Sequence, residues 1–366
     1  MKITFAKNAL VEATNTVMKA VSNKTTMPIL SCILIEAADS GIKMTANDME
    51  LAIETKVDGM TIENGKMAVD AKLFSDIIRK LPDGDVEIKG EGEKINIRCE
   101  KANFDIAGRN SEDFVSLPVF DTKDYICISE FTLKEVIRQT IFSIAPNDNN
   151  KLMTGELFEI SGDTLKVVSL DGHRISIRNI KLRDKYEDRK VIVPGKTLTE
   201  ISRIIPGDAE KDVYIFFSNN YIIFEYGETI VLSRLIDGDY FKVDRMISND
   251  YETKLTLARK DVLDTIDRAM LLVRETDKKP IIFKINDEGM EVSMSTVIGS
   301  MKEEVAAEKS GKDLMIGFNP RFLMDAFRAI DDEKVDIYMM NPKSPCFIRD
   351  EAGSYIYLIL PINFIA

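Results

Sequence analysis

The stretch best suited to form a binding site covers residues 167–178 and contains the single histidine of the chain. Two alternating apolar runs flank Asp171-Gly172, a dipeptide that tolerates the positive φ angles of a tight hairpin turn. His173 and Arg174 follow the turn, so two polar donors are expected beside apolar residues such as Leu170. Such a rim suits a pocket for a peptide, although a purely structural hairpin explains the same pattern.

Catalysis at this hairpin is disfavoured, because there is no second His and no adjacent Ser or Cys in a nucleophile motif. A single His also excludes HExxH, and Gly195-Lys196-Thr197 lacks the upstream glycine of a P-loop. Asp48 and Glu50 alternate on a predicted strand without a ligand pattern. The four cysteines form no CxxC pair. We therefore expect no cofactor, no metal and no catalytic residue. The first alternative function is an enzyme whose site is built from carboxylates such as Asp48 and Glu50.

Composition sets the broad class of the protein. A chain of 366 residues with 45% hydrophobic residues is long enough for two or three domains with real cores. The first five residues lead directly into a polar segment, and no apolar run approaches membrane length, so a cytoplasmic protein without a membrane partner is expected. A net charge of -12 argues against nucleic-acid binding unless the basic residues are segregated.

The elements that must position the hairpin repeat along the chain. A short apolar strand leading into an amphipathic helix recurs about every 60 residues. Within each helix the apolar residues are three or four apart, which predicts one face packed on a sheet. Alternating runs between the helices predict antiparallel strands, hence an α+β fold. The predicted helices cover residues 6–21, 71–81, 133–144, 196–205, 259–273 and 319–330.

Pairs of repeats make plausible domains, because about 60 residues is marginal for a core and about 120 is sufficient. Short polar stretches at residues 121–124 and 248–250 fit this pairing. The sequence therefore predicts three similar domains, each made of two strand-helix-strand repeats, at residues 1–120, 125–247 and 251–366.

The predicted helices carry more Lys and Arg than Asp and Glu, although the whole chain is acidic. Each helix alone is explained by an ordinary solvated face. If six helices lined a ring about 10 Å apart, the hole would be roughly 9 Å wide, whereas twelve leave roughly 28 Å. A DNA duplex is on the order of 20 Å across, so a dimeric ring would admit it.

Several ordered motifs along the whole chain resemble those of the bacterial DNA polymerase III beta subunit family, the β sliding clamps. The motifs are Thr45-Ala46-Asn47-Asp48-Met49-Glu50, Ser169-Leu170-Asp171-Gly172-His173-Arg174, Ser233-Arg234-Leu235-Ile236-Asp237-Gly238, Ile316-Gly317-Phe318-Asn319 and Tyr357-Leu358-Ile359-Leu360-Pro361. The resemblance implies a head-to-tail homodimeric ring with helices inside and sheets outside. It implies a non-catalytic accessory subunit that holds the replicative DNA polymerase on duplex DNA by topology, without sequence preference.

The resemblance also implies a hydrophobic pocket for short peptides of the polymerase, the clamp loader and repair proteins. Its matching positions are Leu152, Met153, Leu170, Gly172, His173, Arg174, Ile175, Arg245, Met246, Phe322, Pro345, Leu358, Leu360, Pro361 and Ile362. The implied DNA contacts are Lys24, Lys72, Arg79, Lys151 and Arg203. The implied dimer contacts are Phe104 and Ile106 on an edge strand and Leu271 and Leu272 on a helix. Core packing is the alternative for each apolar residue alone.

Two positions depart from the family pattern. Phe241 occupies a position where proline is frequent, and Pro345 one where serine is common. These departures predict a different shape for the second half of the implied pocket, which comprises Leu152, Arg245, Phe322, Pro345, Pro361 and Ile362. The tail continues through residues 363–366 and is expected to cover part of the pocket. A protein scaffold that does not bind DNA is the second alternative function.

Overall fold

The computed structural model describes residues 1–22, 25–118, 120, 122–146, 150–274 and 279–364. The chain divides into two compact units, each built from two stretches. Unit 1 comprises residues 1–133 and 199–235, and unit 2 comprises residues 134–198 and 236–366. The three predicted domains divide the chain differently, and their boundaries stay a prediction.

The described residues contain six α-helices, one in each predicted window. The helices are α1 Lys7–Val17, α2 Ala71–Lys80, α3 Glu130–Thr140, α4 Gly195–Ile204, α5 Arg259–Met270 and α6 Pro320–Ala329. Several predicted ends are wrong, because α1 and α3 each finish in a tighter 3-10 turn, at Met18–Ala20 and Ile141–Ser143. Asn319 is the N-cap of α6 rather than its first residue, since its side chain accepts the Arg321 N–H at 3.0 Å.

The alternating runs form strands, but Asp48 and Glu50, which were predicted on a strand, lie in the turn between the strands Gly41–Asn47 and Leu51–Val57. The strands are β1 Lys2–Ala6, β2 Cys32–Ala38, β3 Gly41–Asn47, β4 Leu51–Val57, β5 Met60–Glu63, β6 Gly65–Asp70, β7 Asp85–Glu91, β8 Lys94–Cys99, β9 Ala102–Arg109, β10 Tyr125–Ser129, β11 Gly155–Leu170, β12 Arg174–Pro194, β13 Asp212–Phe217, β14 Tyr221–Tyr226, β15 Thr229–Arg234, β16 Thr253–Ala258, β17 Ile281–Asn286, β18 Gly289–Thr296, β19 Gly299–Val305, β20 Ala307–Gly311, β21 Leu314–Phe318, β22 Lys334–Met339, β23 Cys346–Arg349 and β24 Tyr355–Ile359.

Unit 1 contains one antiparallel sheet of 13 strands. Its order is β10-β13-β14-β15-β4-β3-β2-β6-β9-β8-β7-β1-β5. Helices α1 and α2 bury their apolar stripes, and Leu10, Val17, Phe74 and Ile78 are all fully buried. The amphipathic pattern therefore predicted the buried helix faces of this unit.

Unit 2 contains a seven-stranded sheet, β11-β12-β24-β23-β22-β16-β20, and a four-stranded sheet, β19-β18-β17-β21. Strands β11 and β12 form one long hairpin that pairs Leu170 with Ile175 at its tip. Strand β12 pairs on its other side with β24, with Ile175 opposite Leu358. This register makes the central hairpin and the C-terminal strand direct neighbours, although nearly the whole second half of the chain separates them in sequence.

The fold provides no candidate membrane-crossing helix: each helix in the described part of the chain is too short or too polar to span a bilayer.

Candidate peptide-binding surface

The hairpin tip of unit 2 is closed by an aspartate turn. Asp171 Oδ1 accepts the backbone N–H groups of His173 at 3.0 Å and Arg174 at 3.2 Å. Gly172 has φ +83°, a conformation that costs little without a Cβ. The turn predicted from Asp-Gly is therefore confirmed, and it leaves His173 exposed at the tip.

Arg174 is held by groups from three parts of unit 2. Its Nε donates to Asp171 Oδ2 at 3.0 Å, its Nη1 to Asp325 Oδ2 at 2.6 Å, and its Nη2 to the Phe142 carbonyl. The guanidinium carbon also lies 4.4 Å from the ring centroid of Phe322 on α6. All three guanidinium nitrogens already have partners, so Arg174 fixes the hairpin tip against α6. Its predicted contact with a peptide stays a prediction.

His173 connects the tip to α6 and to the C-terminus. Its ring is stacked on Phe322, with centroids 6.2 Å apart and planes inclined by 26°. Its carbonyl accepts the Leu360 N–H at 2.9 Å. The structure therefore brings together three predicted site residues from three distant stretches of sequence.

Apolar side chains below the tip form one cluster. Leu170, Ile175 and Leu358 are buried in it, and Leu152 and Met153 are partly buried against it. Phe241, which departs from the family pattern, also packs against this cluster, with its ring edge to face with Tyr240 at 5.7 Å. These five predicted pocket residues therefore lie together in one apolar layer.

Two predicted residues expose apolar surface near this layer. Met246 is 51% exposed at the end of the 3-10 turn Val243–Met246, and Leu360 is 37% exposed directly after β24. Arg245 is exposed in the same turn and has no ion-pair partner within the described residues. Pro345 is half-buried and precedes β23, which pairs with β24.

The term hairpin surface is used below for twelve of the predicted pocket residues. They are Leu152, Met153, Leu170, His173, Ile175, Arg245, Met246, Phe322, Leu358, Leu360, Pro361 and Ile362.

The tail beyond Pro361 runs beside β21. The Ile362 N–H donates to the Gly317 carbonyl at 2.8 Å. The Phe364 ring occupies the space that a Cβ on Gly317 would need, at 2.7 Å from that position. This contact was missed from sequence, because nothing local links Gly317 to Phe364. The last two residues, Ile365 and Ala366, lie outside the described part of the chain.

The predicted DNA contacts lie on separate elements. Lys72 and Arg79 are exposed on α2, and Arg79 donates to the Asn15 side chain at 2.7 Å. Arg203 is exposed on α4 and pairs with Glu200 at 2.7 Å. Lys151 is exposed at the start of a 3-10 turn in unit 2. Lys24 lies outside the described residues.

The predicted dimer contacts are accessible. Phe104 is 38% exposed and Ile106 half-buried on β9, which pairs with β6 only through Gly108 and Arg109. Leu271 is 80% exposed and Leu272 half-buried. Their predicted helical position is wrong, because α5 ends at Met270 and both leucines lie in the turn that follows.

A buried carboxyl group lies in the same unit as the hairpin surface. Glu156 on β11 is fully buried, and its Oε2 accepts the Thr140 hydroxyl at 3.2 Å. Burial raises the pKa of this carboxyl to about 8. Within the described residues no three potential ligands converge on a metal position.

Known proteins match the chain over its whole length. Family models of the DNA polymerase III beta subunit match as an N-terminal domain at residues 1–118, a central domain at 127–242 and a C-terminal domain at 244–363. A β sliding clamp of Staphylococcus aureus strain Mu50 is 34% identical over 99% of both chains.

Solved structures agree with these matches. The sliding clamp of Bacillus subtilis is 31% identical, covers 100% of both chains and gives a TM-score of 0.96. A structure from Eubacterium rectale ATCC 33656, provisionally assigned as a DNA polymerase III beta subunit, is 57% identical over 100% of both chains, also with a TM-score of 0.96.

The α+β fold and three successive family-model matches define a protein built of three related domains of the clamp type. The chain belongs to the DNA polymerase III beta subunit family, the β sliding clamps. The predicted family and fold class are confirmed, and so is the expectation of a processivity factor rather than an enzyme.

Proposed function

We propose that two copies of this chain close head to tail around duplex DNA and tether the replicative polymerase to it. In this proposal each chain supplies three domains, at residues 1–120, 125–247 and 251–366. Partner peptides of the polymerase, the clamp loader and repair proteins bind at the hairpin surface. Membership of the sliding clamp family supports the DNA and polymerase partners.

The observation that carries the peptide site is the junction of three distant segments at the hairpin tip. His173 stacks on Phe322, and its carbonyl holds Leu360. The buried residues Leu170, Ile175 and Leu358 give this junction a rigid apolar floor. A site that is already formed in the free protein avoids the cost of ordering its own side chains when a peptide binds.

The exposed residues determine which peptide fits. Leu360 and Met246 offer accessible apolar surface for a Leu or Phe anchor, and Met adapts its shape readily. Arg245, which has no ion-pair partner among the described residues, is suited to bind a carboxylate or a backbone carbonyl. A short peptide with one apolar anchor and an acidic or polar neighbour is therefore the expected ligand class.

Size and exposure support the proposed dimer. If the helices line a ring, the six of one chain would enclose too small a hole for a duplex, whereas twelve would enclose enough. Leu271 and Phe104 are large apolar side chains left accessible in the single chain, which favours their burial against a second copy.

Loading on nicked circular DNA, followed by linearisation, tests the proposal. The protein should remain on the circle through gel filtration at moderate salt and leave after the circle is cut. Retention that ignores cutting would indicate an ordinary DNA binder, and failure to associate under all loading conditions would favour the scaffold alternative. Titration of a polymerase tail peptide in parallel measures peptide binding without DNA. Peptide binding without retention on the circle would contradict the ring, and retention without peptide binding would contradict the hairpin surface.

A further inference from the structure

A cavity of about 560 Å³ lies within unit 1, and its lining residues include none of the hairpin surface and none of the predicted dimer contacts. Its wall comes from α1, the ends of β3, β4 and β14, the first residue of α3 and the segment around Pro206–Lys211. This volume falls within the range of small-molecule sites, roughly 300–1,000 Å³. Neither a peptide site nor a DNA contact of the proposed function uses it.

The cavity carries an excess of carboxylates. Four acids contribute to its wall, namely Glu12, Asp58, Glu130 and Glu228, against two lysines, Lys56 and Lys211. Lys56 is already paired with Glu228 at 2.9 Å. Glu12 and Asp58 have no side-chain hydrogen bond or ion pair within the described residues. The unpaired charge of the wall is therefore negative, which favours a cation over an anion.

Two buried polar side chains line the cavity, and one of them has no hydrogen-bond partner within the described residues. Tyr226 is only 6% exposed, and its hydroxyl makes no hydrogen bond within the described residues. Glu130 is 2% exposed; its Oε2 accepts the N–H groups of Gly207 at 3.2 Å and Asp208 at 3.1 Å. Its Oε1 accepts no hydrogen bond in the described part of the chain. Burying a polar group unpaired is costly, so the Tyr226 hydroxyl is poised for a ligand that donates a hydrogen bond, and Glu130 adds a carboxylate to the same wall.

The remaining wall is apolar. Ala13, Ile42 and Val57 are buried side chains that line the same cavity. They suit methylene groups, whereas the acids suit ammonium groups. A bare metal ion is a poorer fit, because no three ligating side chains converge within the described residues.

We propose that this cavity binds a small aliphatic diamine or polyamine. One ammonium group donates to Glu130 Oε1 and to the Tyr226 hydroxyl, the methylene chain packs on Ala13, Ile42 and Val57, and the other ammonium lies near Glu12 and Asp58. The bound molecule connects α1 to the segment around Pro206–Lys211, so binding should raise the melting temperature of the protein.

Calorimetric titration of the full-length protein at about 0.15 M salt tests this site, with 1,4-diaminobutane as the probe. A saturable site with one diamine per chain is expected, and 1,4-butanediol, which has the same length but no charge, should not bind. Tyr226→Phe should weaken binding about threefold to tenfold, because it removes a single hydrogen bond. Glu12→Gln should also weaken diamine binding, and it leaves the buried side chains of the cavity unchanged because Glu12 is exposed.

Glu112→Gln is the matched control, since it removes an equal charge from an exposed site of unit 1 outside the cavity. It should leave the affinity unchanged. If Glu112→Gln and Glu12→Gln lowered the affinity for the diamine equally, the binding would reflect only general attraction of a cation to an acidic protein. That result would overturn the site. Binding of the diol as tightly as the diamine, or no saturable binding at all, would overturn it as well.

Discussion

Glu156 should give the protein an unusual loss of stability towards neutral pH. In the unfolded chain a glutamate has a pKa of about 4.3, whereas burial in unit 2 raises the pKa of Glu156 to about 8. Between these values the folded protein binds a proton that the unfolded chain has released. The stabilising contribution of Glu156 is therefore complete below about pH 4.3 and is lost as pH rises towards 8.

The size of the effect follows from proton linkage. One proton of difference corresponds to about 1.4 kcal/mol per pH unit. From pH 5 to pH 7.5 the free energy of unfolding should fall by about 3 kcal/mol through this residue alone, which is a large part of a typical domain's stability. Glu156→Gln keeps the shape of the protonated side chain and removes the titration. The variant should gain stability relative to the parent protein as the pH rises.

Urea unfolding followed by circular dichroism at pH 5, 6, 7 and 7.5, at one fixed protein concentration, measures this difference. The quantity to compare is the gap between variant and parent, because other groups that titrate cancel in it. Glu187→Gln is the control, since Glu187 is exposed on β12 of the same unit. If Glu156→Gln and the parent change in parallel over this range, Glu156 does not hold a proton in the folded protein and the reasoning fails.

Three further outcomes are expected. Deleting residues 361–366, or changing Leu170→Ala, should lower the affinity for a fluorescent polymerase tail peptide about tenfold to hundredfold. The double variant should lose less than the sum of the two single losses, because both changes act on one pocket; strictly additive losses would place the peptide elsewhere. Replacing Leu271 and Leu272 by Asp should give monomers in analytical ultracentrifugation that are not retained on circular DNA, and a double variant that stays dimeric would refute the interface. Reversing the charges of Lys72, Arg79 and Arg203 should reduce salt-sensitive DNA retention and leave peptide titrations unchanged, and the opposite result would exclude these helices from the DNA path.

Local patterns were enough to predict the helices and the central hairpin. Each helix has a clear apolar stripe, and Asp171-Gly172 specifies a tight turn through its own backbone preference. The helix ends were less predictable, because residues such as Leu271 and Leu272 continue the apolar pattern into the turn that follows α5. Periodicity reports which face is buried, and it does not report where the hydrogen-bond pattern tightens.

Some of the buried chemistry did have a signal in the sequence. Glu156 alternates with Phe158 and Ile160, so on a strand all three share one face, and the structure buries all of them. A carboxyl at an apolar-face position of an alternating strand pattern therefore indicates burial and a raised pKa. The partners of Arg174 had no such signal, since Asp325 is brought to it only by the packing of α6.

The contacts of Arg174 explain how an exposed hairpin tip can form part of a preformed binding surface. A free tip would have to be ordered when a peptide binds, and this entropy would weaken the affinity. Here Asp171, Asp325 and the Phe142 carbonyl hold the guanidinium, and Phe322 packs against its face. The same contacts place His173 against Phe322 and leave its carbonyl to hold Leu360. Because lysine cannot form this planar set of bonds, an Arg174→Lys change would loosen the hairpin surface while conserving its charge.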